Sequence, residues 1–350
     1  MRAAVMEGVG QPLVVRDLAD PECALHGAIV RVEANGVCRS DWHGWVGDWN
    51  WIGIEFDFPH VLGHEFCGVV EEVGAEVKRF KPGDRVIVPF SQGEGTCEMC
   101  LSGHSNVCEN GFSPGFSYWG GFGRLTATPH ADVNLVSMPD AMSFVEGAGL
   151  GCRFMTSFHG VVNQARVRPG EWVAVHGCGG IGLAAVQIAT ALGANVIGVD
   201  IDPAKLDFAK RVGAVETILA GNIDIPEAVR EITKGGAHVS IDALGITATC
   251  RNSIAGLRRR GRHLQIGMTG SAEQGEIAVP IDIIAEHELT LIGTQGMPAV
   301  GYDAMLAMIT AGKLSPGDLV TSTLALEEVG AVLASMEDFA TIGIPVIDRY

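Results

Sequence analysis

The side chains best suited to chemistry are thiols, an imidazole and carboxylates, and they fall into two groups. The first is scattered: Cys38 in Gly36-Val37-Cys38-Arg39-Ser40-Asp41, His64 and Glu65 in Gly63-His64-Glu65, and Cys152 in Gly151-Cys152-Arg153. Thiolate and imidazole are zinc donors, and three protein donors leave a tetrahedral position open for a reacting molecule. Spacing alone does not assemble this group, because a cysteine also serves as a small buried hydrophobe. The second group is compact: Glu94-x-x-Cys97-x-x-Cys100, then Cys108 on the same glycine-containing loop. Four donors so close together suit a closed structural zinc, with a metal-free thiol loop as the alternative. Glu94 is its unusual member, since a carboxylate is a harder donor than a thiolate.

A third constellation suits phosphate. Gly177-Cys178-Gly179-Gly180-Ile181-Gly182 follows the apolar run 172–175 and opens the helical spacing of 181–192. In that context the glycines allow a tight turn and close approach of a dinucleotide pyrophosphate, whose charge meets the free N–H groups of the helix start. Asp200 ends the next apolar run, where an acid binds the adenosine ribose hydroxyls and disfavours the extra phosphate of NADP. NAD is therefore the expected cofactor.

These residues need elements to hold them. The first part of the chain reads as β-rich, with short β-branched runs at 14–16, 28–34, 68–73 and 85–88 bounded by Gly, Pro and Asp. From about residue 153 strands alternate with helices. Strands are expected at 172–175, 195–199, 239–242, 263–266 and 289–292, and helices at 181–192 and 203–212. Asp202 and Pro203 suit the cap and first position of the second helix. Such alternation implies a parallel sheet with right-handed crossovers. The fold class is α/β: a Rossmann doubly wound parallel sheet at 153–293, inserted in a discontinuous β-rich domain at 1–152 and 294–350. Two helical patterns and short strands finish the chain.

Taken in order, these motifs resemble the zinc-containing alcohol dehydrogenases of the medium-chain dehydrogenase/reductase superfamily, over essentially the whole chain. The most specific stretch is 63–74, from Gly63-His64-Glu65 to Glu71-Glu72-Val73-Gly74, followed by Pro82-Gly83-Asp84-Arg85-Val86. The resemblance implies a GroES-like catalytic domain around the Rossmann domain. It places the catalytic zinc on Cys38, His64 and Cys152, the set of two cysteines and one histidine that alcohol dehydrogenases use. Glu65 would orient or transiently join the metal, Ser40 would take the alcohol proton, and His43 would pass it on through the cofactor ribose. Arg39 falls where the family binds pyrophosphate and Lys205 where it binds ribose, while Ile266 and Met268 join Gly177, Gly179, Gly180, Ile181, Gly182 and Asp200 in the expected cofactor set. The reaction implied is reversible hydride transfer between an alcohol and NAD, giving an aldehyde or ketone. Trp49, Phe90 and Trp119 are the aromatic residues expected to line the pocket, which favours apolar primary or secondary alcohols over charged hydroxy acids. Two positions depart from the family. Arg124-Leu125 replaces the usual Glu-Tyr after Gly-Gly-Phe, and Ile344 follows Gly343 where a basic residue is usual.

Composition narrows the partners. The 350 residues carry a formal net charge of −17, which disfavours nucleic acid and anionic membrane surfaces. The one basic cluster, Arg258-Arg259-Arg260-Gly261-Arg262, reads as a solvated turn, with a cofactor or partner contact as the alternative. No apolar stretch is long enough for a membrane span and the first residues lack a signal-peptide pattern, so a soluble cytoplasmic protein is expected. The nine cysteines then read as thiols or metal ligands. The apolar run 289–292 reads as the last strand of the nucleotide sheet, an edge that a symmetry mate would cover in a homodimer or homotetramer. The alternatives are a zinc-free quinone or enoyl reductase of the same superfamily, or a non-enzymatic cofactor-binding scaffold. Neither requires the ligand set Cys38, His64 and Cys152.

Overall fold

Apolar β-branched runs separated by glycine turns build one large sheet in each of two compact units, and a two-stranded sheet of Arg2–Val5 and Val14–Asp17 in the first. The computed structural model describes residues 1–339 and 341–350. One unit comprises Met1–Met155, Gly296–Thr310 and Pro316–Tyr350, and the other Thr156–Gln295 with Ala311–Ser315.

The second unit is a six-stranded parallel sheet. Its spatial order is Glu216–Leu219, Asn195–Asp200, Trp172–His176, Ala237–Asp242, Leu257–Gln265 and Thr290–Gly293. Numbered within the unit, this is the order 3-2-1-4-5-6 of the doubly wound dinucleotide fold. Val173, Ala174, Val175, Val196 and Ile197 are fully buried, as strands covered on both faces must be. Helix Gly180–Ala191 is apolar almost all round and buries Leu183, Val186 and Ile188. Helix Pro203–Arg211 starts where its cap residues place it, with Asp202 accepting from the Ala204 N–H at 2.8 Å.

The basic run is not a turn. It lies inside strand Leu257–Gln265, where pairing to the neighbouring strand jumps from Ala237 opposite Leu257 to Val239 opposite Arg262. The intervening residues bulge outward, with Arg260 in the left-handed region. Arg259, in the bulge, pairs with Glu286 at 2.9 Å, and Arg262, back in register, with Glu171 at 2.5 Å. Charge density hid the strand because the bulge exposes what a regular strand would bury.

The first unit holds a seven-stranded sheet ordered Val320–Ala325, Ile344–Arg349, Ala28–Gly36, Glu65–Val73, Arg85–Val88 and Val136–Ser137, with Leu125–Thr128 also paired to Ala28–Gly36. The late strand Ile344–Arg349 runs antiparallel to Ala28–Gly36, with Val346 opposite Gly36. Val30, Val32, Phe66, Val70, Val86 and Val88 form one apolar cluster beneath these strands. Fully burying a side chain such as Phe66 contributes about 1.5–3 kcal/mol. A second cluster joins Ala3–Met6 to Leu324, Leu326, Val329 and Ile347, so early and late residues share a core. Among the described residues, no helix is long and apolar enough to cross a membrane.

Candidate active site and metal centres

Three element ends bring the scattered donors together. Cys38 caps helix Arg39–Val46, just after strand Ala28–Gly36 ends. His64 precedes strand Glu65–Val73, which pairs Glu65 with Gly36, and Cys152 opens helix Cys152–Phe158. One donor atom from each of Cys38, His64, Glu65 and Cys152 lies within 4.8 Å of the others, and all four residues are buried.

The orientation of His64 is set by Asp41, a fully buried carboxylate. His64 Nδ1 donates to Asp41 Oδ1 at 2.8 Å. Asp41 also accepts from the N–H groups of Cys38 at 2.9 Å and Gly63 at 3.1 Å. That leaves His64 Nε2 buried without a hydrogen-bond partner. A buried ring nitrogen normally finds a partner, and a carboxylate-held histidine directing its other nitrogen into two thiols is a zinc-binding arrangement. Hydrogen bonding from Cys152, aided by the charges of Arg153 and His64, holds the Cys38 thiol well below its ordinary range despite burial. The donor set therefore fits zinc. Glu65 forms a buried ion pair with Arg153. Burial pushes the Glu65 carboxyl up while the Arg153 charge opposes the rise.

Around this cluster, Ser40 Oγ lies 3.7 Å from Cys38 Sγ. His43 Nδ1 meets Asp48 Oδ2 at 2.6 Å, and its ring stacks on Trp49 with centroids 4.5 Å apart. Burial lowers the His43 imidazole below its ordinary value, partly offset by the Asp48 hydrogen bond. Arg39 stacks over Trp42 at 4.4 Å and Phe339 at 3.5 Å, and donates to the Met336 carbonyl. Phe90 meets the His64 ring edge-on at 5.8 Å, whereas Trp119 packs against the N-terminal core cluster and donates to the Pro59 carbonyl at 3.2 Å.

The compact group is built differently. Cys97, Cys100 and Cys108 bring their sulfurs within 4.8 Å, with Cys97 and Cys108 at 3.6 Å, and all three residues are partly exposed. Glu94 stands outside this trio, and its carboxylate accepts from Thr96 Oγ1 at 2.9 Å. Three thiols fit a zinc ion, while the fourth donor is not assembled around them.

In the nucleotide unit, Gly177 takes φ +92°, and a side chain at Gly182 would collide with the Gly177 carbonyl. Gly179, the cap of helix Gly180–Ala191, has open space where a Cβ would stand, a cradle that a pyrophosphate would fill. Asp200 accepts from the Cys178 N–H at 2.6 Å and the Asp202 N–H at 2.9 Å, tying the acid to the turn. Lys205 is buried in the first turn of the next helix. Ile266 and Met268 follow the C-terminal end of strand Leu257–Gln265, buried and exposed respectively. The C-terminal end of the strands is where this fold binds ligands.

Residues 25–140 match the alcohol dehydrogenase GroES-like domain family, and residues 180–311 match the zinc-binding dehydrogenase family. An alcohol dehydrogenase of Geobacillus stearothermophilus is 35% identical over 295 residues, 84% of each chain. An NAD-dependent alcohol dehydrogenase of Sulfurisphaera tokodaii is 32% identical over 99% of each chain. The solved alcohol dehydrogenase of Aeropyrum pernix superposes with a TM-score of 0.89 at 30% identity, over 99% of each chain. The chain belongs to the zinc-type alcohol dehydrogenases of the medium-chain dehydrogenase/reductase superfamily.

Within this alcohol dehydrogenase, the departures from the family pattern have structural roles. Arg124 donates to the Val32 carbonyl at 2.6 Å and lies over Tyr350, whose hydroxyl reaches the Gly121 carbonyl at 2.6 Å. Ile344 is buried at the start of its strand. Four residues of the site escaped sequence reasoning. Asp41 and Asp48 orient the two histidines, Arg153 holds Glu65, and Phe116 meets His64 at 5.4 Å and Trp49 at 6.3 Å. Only Asp41 left a readable signal, as an acid three residues after a helix cap.

Proposed function

We propose that Cys38, His64 and Cys152 hold the catalytic zinc of an NAD-linked alcohol dehydrogenase that interconverts an apolar primary or secondary alcohol and its aldehyde or ketone. The observation that carries this reading is the buried, unpartnered Nε2 of His64 facing two thiols. When bound, zinc favours loss of the alcohol proton and NAD accepts the hydride. Ser40, beside Cys38, would accept that proton while releasing its own hydroxyl proton toward the cofactor ribose and His43. His43 passes it on: donation from Nδ1 to Asp48 fixes the tautomer, leaving Nε2 as the acceptor on a ring that is neutral at neutral pH. Glu65 stands beside the three donors, where its carboxylate can orient or transiently join the metal.

Arg39, the Gly177–Gly182 turn, Asp200, Lys205, Ile266 and Met268 hold NAD, with Asp200 set against the 2′-phosphate of NADP. Trp49 and Phe90 line an apolar pocket with Phe116 beside His64, with Trp119 as a further wall if its hydrogen bond to the Pro59 carbonyl loosens. Glu94 completes a second, structural zinc with Cys97, Cys100 and Cys108 by releasing Thr96. Nine cysteines without a disulfide suit a reducing cytoplasm. Strand Thr290–Gly293 is a sheet edge with Leu291 44% exposed, which suits pairing with a second copy into a homodimer or homotetramer, and light scattering reads that state. The central test is Cys152→Ser. The expected result is loss of one zinc per chain and of NAD reduction with simple alcohols. Full zinc content with full turnover would remove Cys152 from the site.

A further inference from the structure

Glu65 is the fourth donor of a cluster that needs only three. Its carboxylate lies within 4.8 Å of the Cys38, His64 and Cys152 donor atoms, close enough to complete a tetrahedral sphere. A sphere closed by four protein ligands leaves no position for substrate. The structure instead turns both carboxylate oxygens toward Arg153. Glu65 Oε1 accepts from the Arg153 backbone N–H at 3.1 Å and from Nε at 3.0 Å, and Oε2 accepts from Nη2.

Two glycines clear the space for this arrangement. A side chain at Gly36 would collide with Glu65 Oε2 and stand 3.2 Å from Arg153 Nη2, and one at Gly151 would collide with the Glu65 stem. Both partners are buried, so neither charge can turn to water. A fork-shaped guanidinium is the one side chain that grips both oxygens of a carboxylate in parallel.

We propose that Arg153 is a positioning residue that holds Glu65 off the catalytic metal, keeping the fourth coordination position free for the alcohol. The inference rests on the zinc assignment above. Without Arg153, Glu65 would be an unpaired buried anion, and the nearest cation would be the metal. Ligation would then close the sphere, so the metal would be held more tightly while substrate access fell.

The test uses the holoenzyme with cobalt(II) in place of the catalytic zinc, and imidazole as the probe. The wild type is expected to change its visible cobalt spectrum on adding imidazole. Arg153→Met is expected to show no change, to release metal to a chelator at least tenfold more slowly, and to bind NADH unchanged by fluorescence. Adding Glu65→Gln to Arg153→Met should restore the imidazole response, because the amide no longer competes for the metal. A response in Arg153→Met equal to the wild type, or no recovery in the double variant, would overturn the proposal. If Arg153→Met does not fold, Arg153→Lys replaces it: a point charge cannot grip both oxygens, so a weakened response is expected and a wild-type response overturns the proposal. A wild-type cobalt enzyme that ignores imidazole would instead overturn the zinc reading itself, and this inference with it.

Discussion

The two thiol clusters differ in how each donor is held. Cys38, His64 and Cys152 come from three distant stretches and are buried; Asp41 orients His64 and the Cys38 backbone, and Arg153 holds the neighbouring Glu65. Cys97, Cys100 and Cys108 come from one loop and are partly exposed, and among the described residues no fourth donor is gathered beside them, Glu94 being bonded to Thr96. A metal that must accept and release a substrate needs donors fixed before it arrives, with one position kept open. A metal that only shapes a loop can draw its donors in as it binds, because ligation itself supplies the order.

The strongest way to break this contrast is Asp41→Ala. It removes the partner of His64 Nδ1 and strands the N–H groups of Cys38 and Gly63. Losing such an orienting carboxylate costs about 10–100-fold in metal affinity or activity. Metal titration should show this loss at the buried site only. Equal weakening at both sites would mean that Asp41 acts through general stability.

A smaller effect sharpens the contrast by leaving both metals alone. His176 is buried in the nucleotide sheet, and burial, aided by the charge of His263, lowers its pKa to about 3. The unfolded chain takes up a proton below about pH 6.5 that the folded chain refuses, so stability is full above that value and falls as pH drops toward 3. Between pH 7 and pH 5 this group alone should cost about 2 kcal/mol. Urea unfolding of the wild type and His176→Gln at both pH values checks it, and the variant should lose that much less. An identical pH dependence in the two proteins would show that His176 titrates normally.

The smallest effect is expected from Glu94→Ala, where water can take the fourth position on the exposed site. A melting temperature lower by a few degrees, with kcat unchanged, fits a structural loop metal on which one mutation costs about 1 kcal/mol. Loss of turnover without loss of stability would give the loop a catalytic part.

What could be read from the sequence follows the same division. The glycine turn at Gly177–Gly182 and the cysteine loop are local, so spacing alone reported them. The alternation of strands and helices after residue 153 reported the parallel sheet for the same reason. Cys38, His64 and Cys152 were brought together by family resemblance, since no spacing rule links residues so far apart. Arg153 and Phe116 stayed hidden because what matters is which side chain each meets across the fold. The arginine-rich bulge misled because its exposure comes from a register jump that composition does not record.

The pairing of Val346 with Gly36 also orders events during synthesis. The six strands of the nucleotide unit end at Gly293, and its last short segment at Ser315, so that sheet can form while the final stretch is still inside the ribosome. In the sheet carrying Glu65, Leu125–Thr128 covers only Ala28–Arg31 on that side of the middle strand, so Asn35 and Gly36 wait for residues 344–349 before they have a neighbour there. A stalled or clipped chain would therefore present a finished dinucleotide-binding unit beside an open β-edge, the kind of surface that chaperones shield and aggregates recruit.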